Sequence, residues 1–427
     1  MTIPEVSTRG TFREVPYMGV IFVVDEAEKR GFVNGDPDWC NLGQGQPEVG
    51  EMKGAPPRLS HVDLEPLDHA YGPLKGTLEL RQKIADYYNR LYRVGKSSQY
   101  GPENIAVAQG GRLALSRALL AIDAVNVGYQ VPDYTAYEDM FNVYLGRLTP
   151  VSIPVGEDSG FLITPERISH AIRDHGLAAF LFSNPCNPTG RHLGQAELRE
   201  LAEISRETNC ALLCDEFYSH FIYSPGETGE WGPGDGPVSI AAEIDDVDTD
   251  PILVFDGLTK NHRYPGWRVG WILGTPETIA NISRVASTLD GVPSKISQRL
   301  AMEALEPTVA DQETTALREV FAAKRNVMVK ELTDMGIRFA GDPDSTFYVW
   351  GCLDDLPEPL NDPMTFFWRA LDQKVMTVPG KFFDVNPGNR RRRASPYENW
   401  MRFSFGPPMD NVLLGLGRLR RMVDEAR

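Results

Sequence analysis

Short apolar runs alternate with amphipathic stretches through the middle of the chain, and this alternation restricts the fold more than any other feature. Seven runs predict strands, at residues 105–108, 129–131, 151–155, 179–183, 211–214, 252–255 and 269–273. Helical patterns, such as those at 165–174 and 195–208, lie between several of them. Strands and helices in this order form crossover units, which predicts an α/β fold with a mostly parallel sheet between helices.

The pattern changes in the last quarter of the chain. A long helical pattern at 316–335 precedes short strands near 347–350 and 401–405 and a helix from about Asp410. This order predicts a smaller α+β domain. The length of 427 residues allows two to three domains. We expect an N-terminal arm and part of the small domain at 1–50, the large domain at 51–310, and the small C-terminal domain at 311–427.

Composition excludes several classes of function. The chain has 43 Lys and Arg against 59 Asp and Glu, a formal charge of −16, which disfavours nucleic-acid binding by bulk charge. No apolar run approaches the roughly 20 residues of a membrane helix, and the N-terminus lacks a signal-peptide pattern. Five scattered cysteines indicate neither a disulfide scaffold nor a metal site. We therefore expect a cytoplasmic protein without a membrane, nucleic-acid or metal partner.

Two segments stand out by charge. Residues 224–250 are rich in Gly and Pro and carry eight acidic residues and no basic one, which is typical of a solvated surface loop; a partner-binding loop is the alternative. Residues 384–400 include four consecutive arginines, Arg390 to Arg393. Such a run is usually solvated or paired with acidic surface. A mobile lid or a contact with an anionic substrate remains open.

Residues that follow the predicted strands are the first candidates for chemistry, because ligands bind outside the carboxyl ends of parallel strands. Gly110 and Gly111 separate a strand from a helical pattern, which favours either a phosphate site or a plain tight turn. The loop 184–190 contains two Asn-Pro pairs and a Gly, and its rigidity favours a site role for Asn187.

Two charged residues follow neighbouring predicted strands. Asp215 ends an apolar run, so it is either a helix N-cap or a carboxylate that faces a cationic ligand atom. Lys260 follows the strand at 252–255, where desolvation can lower its pKa and make it a nucleophile for carbonyls. A lysine, a carboxylate, an amide and an anion cradle at one sheet edge are the parts that pyridoxal phosphate (PLP) needs.

These residues resemble the class I/II aminotransferases of PLP fold type I, from about Asn41 to Gly406. The most specific matches are the loop 184–190 and the spacing of Lys260, Gly266, Arg268 and Gly270. The resemblance implies a large PLP-binding domain with a mostly parallel seven-stranded sheet between helices, and a smaller α+β domain.

The resemblance also implies roles for individual residues. Lys260, Asp215 and Tyr218 would be catalytic: Lys260 forms the Schiff base and moves the proton, Asp215 pairs with the pyridinium nitrogen, and Tyr218 contacts the phenolic oxygen together with Asn187. Tyr134 would stack on the ring. The phosphate would be held by the backbone amides of Gly111 and Arg112, by the side chain of Arg268 and in part by Thr259.

Further matches concern the substrate and a partner subunit. Arg402, in the segment 401–405, would bind the substrate α-carboxylate with Asn187, and Gly45, in the segment 41–48, would approach it. Tyr71, in the segment 71–76, would reach the phosphate of another subunit, which implies a homodimer with shared active sites.

The chain departs from the family pattern at several points. Gly257 stands where a serine usually contacts the phosphate, and Ser345-Thr346 replaces a usual glycine. Arg263 lies near Lys260 in the sequence, but the direction in which its side chain points stays open. Asp290 is a candidate for favouring a substrate with a cationic side chain.

The resemblance implies a PLP-dependent aminotransferase that acts on an L-α-amino acid and a 2-oxo acid by a ping-pong mechanism. Its alternatives are a PLP-dependent lyase, a cyclopropane-forming synthase or a cyclase of specialised metabolism on the same fold. A catalytically silent binding domain is disfavoured by the intact Lys260, Asp215, Asn187 and Arg402.

Overall fold

A computed structural model describes residues 19–223 and 236–427 of the chain. The N-terminal segment before Gly19 and the first part of the acidic loop 224–250 lie outside the described residues. The helices in the described part are α1 (Gly19–Glu28), α2 (Leu78–Tyr92), α3 (Gly111–Ala121), α4 (Ala136–Tyr144), α5 (Pro165–His175), α6 (Gln195–Thr208), α7 (Pro276–Leu289), α8 (Lys295–Ala304), α9 (Pro307–Met335), α10 (Pro363–Asp372) and α11 (Met409–Ala426). The strands are β1 (Cys40–Asn41), β2 (Ile105–Ala108), β3 (Asn126–Val131), β4 (Thr149–Pro154), β5 (Leu177–Ser183), β6 (Ala211–Asp215), β7 (Ile252–Gly257), β8 (Gly270–Leu273), β9 (Tyr348–Cys352), β10 (Val375–Met376), β11 (Val378–Pro379) and β12 (Trp400–Ser404).

The large sheet has seven strands in the order β2-β8-β7-β6-β5-β3-β4. Every neighbouring pair is parallel except those that involve β8, which is antiparallel to β2 and β7. The central strands are buried along almost their whole length, as expected for a sheet with helices on both faces. The predicted α/β class and the mostly parallel sheet are confirmed.

The register of the central strands brings their carboxyl ends to one edge. Ser183 of β5 lies beside Asp215 of β6, which lies beside Phe255 of β7. The loops that leave these strands therefore begin side by side. They carry Asn187, Tyr218 and Lys260, so the topology itself collects the predicted site residues.

The C-terminal part contains a three-stranded antiparallel sheet, β11-β12-β9. A separate pair, β1 with β10, is parallel and joins Cys40 to Val375. Residues 40–41 thus pair with the C-terminal part of the chain, and the small domain itself stays a prediction. The divisions at residues 50 and 310 stay predictions. No described helix combines the length and the apolar character that crossing a bilayer demands.

Candidate active site

A cavity of about 390 Å³ opens at the carboxyl edge of the large sheet. It is lined by most of the predicted site residues, namely Gly45, Gly111, Arg112, Tyr134, Asn187, Asp215, Tyr218, Thr259, Lys260, Arg268 and Arg402. Tyr71 does not line it; this side chain is 94% exposed. Of the predicted site residues, Tyr71 alone lies apart from the cavity.

The Lys260 side chain lies in the cavity, where its Nζ donates a hydrogen bond to the carbonyl oxygen of Gly45. Desolvation lowers the pKa of Lys260 to about 7, and the positive charges of Arg402, Arg268 and Arg112 act in the same direction. At neutral pH a substantial fraction of the amine is thus unprotonated and able to attack a carbonyl carbon.

Asp215 ends β6 at the floor of the cavity and is 6% exposed. Its Oδ2 accepts a hydrogen bond from the hydroxyl of Tyr137 at 2.8 Å, and its Oδ1 accepts one from the backbone N–H of Phe217. Burial raises the pKa of Asp215 to about 6, although these bonds and Lys260 oppose the shift. A buried carboxylate in this state is stabilised by any cationic N–H group that enters the cavity.

Arg402, in β12, lines the cavity and is 1% exposed. Its Nη1 donates to Asn187 Oδ1 at 2.7 Å, and its Nη2 donates to the carbonyl oxygen of Gly43. Its Nε is buried without a hydrogen-bond partner among the described residues. A guanidinium that is oriented by two acceptors and has a donor to spare is suited to a carboxylate ligand.

The loop that carries Asn187 is closed by the side chain of a second asparagine, Asn184. The Asn184 side chain accepts from Leu193 N at 2.7 Å and donates to the Leu193 carbonyl oxygen. Of the two amides in the segment, Asn184 therefore closes the loop, while Asn187 faces the cavity, as predicted for it.

The N-terminus of α3 forms a cradle with Arg268. Gly110 has a φ of 89°, and a Cβ there would lie 2.2 Å from Arg268 Nη2, so the guanidinium packs on the glycine. The helix N-terminus and Arg268 together favour an anion at this end of the cavity. Gly257 supports the same close packing, because a Cβ there would lie 2.4 Å from the Val269 carbonyl oxygen. The serine of the family pattern does not fit this backbone; Thr259 lines the cavity instead.

Aromatic side chains complete the walls. Tyr134 is half-buried, and its hydroxyl accepts a hydrogen bond from Arg112 Nε at 3.0 Å. Tyr218 has its hydroxyl 2.7 Å from that of Tyr348. The exposed Arg112 side chain thus braces Tyr134, a contact beyond the backbone role expected of this residue.

Several residues in or near the cavity were not predicted from the sequence, among them Tyr137, Tyr348, Val20 and Ile21. Tyr137 lies three residues after Tyr134, but nothing in the sequence joins it to Asp215. Tyr348 lies in the strand predicted near 347–350, and no site role was predicted for it. Val20 and Ile21 line the cavity from α1, which has no apolar periodicity strong enough to have been recognised.

Two charged residues of uncertain role, Arg263 and Asp290, have ion-pair partners within the protein. Arg263 is fully buried, and its guanidinium pairs with Glu313 outside the cavity. The expectation that Asp290 favours a cationic substrate is wrong, because its carboxylate is paired with Arg117 through two contacts of 2.8 Å. Neither residue has charge left for a substrate.

Three further carboxyl groups are buried near this edge of the sheet. Burial raises the pKa of Asp133 to about 7 and that of Glu216 to about 8, and it raises the pKa of Asp256 well above its usual range. Hydrogen bonds to Ser183, Ile240 and Asn261, respectively, satisfy part of each group. The floor of the cavity is thus underlain by acids that tend to stay protonated.

Comparisons with known proteins agree with this geometry. The family model "Aminotransferase class I and II" matches residues 37–418. The chain is 28% identical over 378 residues to an aspartate/prephenate aminotransferase of Cereibacter sphaeroides, a match that covers 84% of this chain and 88% of the relative. It is 30% identical over 334 residues to a probable aspartate/prephenate aminotransferase of Thermus aquaticus, covering 77% and 80%.

The fold is also similar to solved structures. Aspartate aminotransferase from Thermus thermophilus with maleate superposes with a TM-score of 0.76 at 22% identity, over 96% of this chain and 100% of the other. Members of this family use PLP. The chain belongs to the aminotransferase class I and II family and is a PLP-dependent aminotransferase.

Proposed function

We propose that the cavity is the active site, in which an amino group is transferred from an L-α-amino acid to a 2-oxo acid with Lys260 as the central amine. The observation that carries this proposal is the state of Lys260: its pKa is lowered to about 7 inside a cavity that also holds Arg402 and Asp215. The relatives do not favour a lyase, a synthase or a cyclase.

The residues present fit the cofactor. The N-terminus of α3 and the Arg268 guanidinium, which packs on Gly110, suit the phosphate. Asp215 at the floor suits a pyridinium N–H, and Tyr218 and Asn187 offer groups for the phenolic oxygen. When bound, the pyridoxal ring would supply the electron sink for the electron pair released at the substrate α-carbon.

Three residues of the site then have defined tasks. Lys260 Nζ accepts and returns the α-proton, which requires the unprotonated amine that its lowered pKa provides. Arg402 binds the substrate α-carboxylate in an orientation set by Asn187 and Gly43. Asp215 would hold the pyridinium nitrogen of the bound cofactor in its cationic form. Because one site serves both substrates, the two half-reactions follow a ping-pong order.

The names of the relatives supply the first substrates to test. They include aspartate and prephenate, so aspartate is the first amino donor and prephenate the first acceptor that we propose. Arg402 would bind the α-carboxylate, a group that all α-amino acids share. It therefore does not discriminate between substrate side chains.

A homodimer with shared active sites is part of this proposal. Tyr71 is 94% exposed and the nearby Leu67 is 72% exposed, which is unusual for large apolar side chains and typical of a contact surface. In a dimer, the Tyr71 hydroxyl would be available to the phosphate site of the other subunit.

We also propose a cytoplasmic location, because all five cysteines are free and buried, as expected in a reducing compartment.

The test is to mix the PLP-loaded protein with each common amino acid and to record its absorbance spectrum. We expect one or a few donors to convert the cofactor to pyridoxamine phosphate and to release the 2-oxo acid. Lys260→Ala should abolish turnover and leave PLP bound only noncovalently. Lys330→Ala, which removes an exposed lysine paired with Asp334, is the control. Full activity of Lys260→Ala, or substrate consumption without pyridoxamine phosphate, would refute the proposal.

A further inference from the structure

Two buried tyrosines form a hydrogen-bonded pair in the wall of the cavity. The hydroxyl oxygens of Tyr218 and Tyr348 are 2.7 Å apart, and the residues are 6% and 0% exposed. Burial raises the pKa of both phenols, so both hydroxyls keep their protons. In such a pair one hydroxyl donates to the other, and the accepting hydroxyl keeps its own hydrogen free for a third group.

The ring of Tyr348 has a second contact. The Arg402 guanidinium lies over it, with Cζ 4.2 Å from the ring centroid. This cation–π contact in a desolvated site adds to the two hydrogen bonds that orient Arg402. Tyr348 thus contacts both Tyr218, which is expected to bond the phenolic oxygen of the cofactor, and Arg402, which is expected to bind the substrate carboxylate.

The backbone holds Tyr348 firmly in this place. Its N–H donates to Thr346 Oγ1 at 3.1 Å, and Thr346 has a φ of 60°, an unfavourable conformation for a β-branched residue. On the other side, a Cβ at Gly45 would lie 2.5 Å from the Tyr348 hydroxyl. Gly45 therefore has to be a glycine for the tyrosine pair to form, and its carbonyl oxygen is also the acceptor for Lys260.

We propose that Tyr348 is a positioning residue that donates its hydroxyl hydrogen to the Tyr218 oxygen and supports the Arg402 guanidinium with its ring. This inference rests on the proposed function. The donation turns the Tyr218 hydrogen toward the phenolic oxygen of the cofactor and makes Tyr218 a stronger donor, because a phenol that accepts a hydrogen bond donates more strongly.

The hydroxyl is tested with Tyr348→Phe in the PLP-loaded protein. A weaker donation from Tyr218 stabilises the ionised phenolic oxygen less, so the imine nitrogen that is conjugated with it holds its proton to higher pH. We expect the pH midpoint of the visible absorbance change of bound PLP to rise by about 0.5 unit. Tyr218→Phe should raise it further, and the double variant should match Tyr218→Phe. Tyr129→Phe is the matched control, since it removes a buried hydroxyl that bonds Val385 away from the cavity.

The ring is tested with Tyr348→Leu. Tyr348→Phe keeps the ring face under Arg402 and should leave the KM of the amino donor close to that of the parent protein. Tyr348→Leu should raise this KM about tenfold, with a smaller effect on kcat. This difference separates support of Arg402 from a general loss of folding, which circular dichroism of both variants would detect.

The outcomes distinguish this inference from the proposed function. If Tyr348→Phe shows the midpoint of the parent protein while Lys260→Ala loses covalent PLP, the positioning role is refuted and the active site stands. If Tyr348→Phe and Tyr348→Leu change KM equally, the ring does not support Arg402. If the parent protein shows no visible absorbance with added PLP, both proposals are overturned.

Discussion

Asp215 destabilises the cofactor-free protein, and its replacement should expose a conflict between stability and function. Burial raises the pKa of this carboxyl from 3.8 to about 6. At 1.36 kcal/mol per pKa unit, the ionised group costs the fold about 3 kcal/mol. Since the pKa in the folded state is raised, this cost is absent below pH 3.8, develops as the pH rises toward 6, and is complete at higher pH.

Asp215→Asn should therefore raise the free energy of unfolding of the cofactor-free protein by up to about 3 kcal/mol at pH 8. The amide preserves the shape of the side chain, and its Oδ1 still accepts from Phe217 N. The same variant should lose nearly all aminotransferase activity, because an amide does not hold the ring nitrogen in its cationic form. The measurement is urea unfolding at pH 4 and pH 8 and at one protein concentration, with Tyr fluorescence or circular dichroism as the probe.

Asp290→Asn is the matched control, because it applies the same chemical change to another buried aspartate. Asp290 is paired with Arg117, whose side chain has no exposure. Removing the carboxylate leaves a buried cation without its partner, so this variant should lose about 3 kcal/mol or more. A stability gain for Asp290→Asn, or none for Asp215→Asn at pH 8, would refute the view that Asp215 is held ionised against its burial cost.

Three other substitutions test separate parts of the site. Arg402→Lys should lower kcat/KM for the amino donor by roughly 30- to 1000-fold, because it removes the paired donors and leaves two buried acceptors unsatisfied; Arg391→Lys is the control, and an effect below fivefold would contradict the role. Gly110→Ala should weaken PLP binding about tenfold or more, since its Cβ would displace Arg268. Equilibrium dialysis measures the affinity for PLP, and an unchanged affinity would refute the proposal that Arg268 and the N-terminus of α3 bind the phosphate. His262 has its pKa lowered to about 3 by burial, so its contribution to stability is complete above pH 6.5 and falls by about 2 kcal/mol at pH 5; His262→Gln should flatten the pH dependence of urea unfolding.

The repeating part of the fold was predictable because buried strands and amphipathic helices have strong local patterns. The strand Ile105–Ala108 and the helix Gln195–Thr208 have the predicted bounds. The helix Pro307–Met335 begins nine residues before the predicted start at 316, because a Pro at its first position starts it rather than excluding it. Short strands such as Cys40–Asn41 were missed, since two residues leave no periodicity to detect.

The site was predictable where residues follow strands of one sheet, and not where contacts cross the molecule. Lys260, Asp215 and Asn187 occupy strand ends, so topology alone brings them together. The contacts of Tyr137 with Asp215 and of Tyr348 with Tyr218 join elements that are 78 and 130 residues apart. The pairing of Asp290 with Arg117 spans 173 residues. No local pattern encodes such partners, which explains why Asp290 was misjudged.

The buried acids beneath the cavity alter the electrical properties of the whole protein. The formal charge of −16 counts every carboxyl as ionised. Glu216, with a pKa raised to about 8, binds a proton in the folded state at pH 7, and Asp133, with a pKa raised to about 7, does so in part; burial shifts the pKa of Asp256 in the same direction. The folded protein should thus be less negative at pH 7 than its composition states, although the partly neutral Lys260 offsets some of this difference. Its isoelectric point in a native focusing gel should lie above that of the same chain in urea.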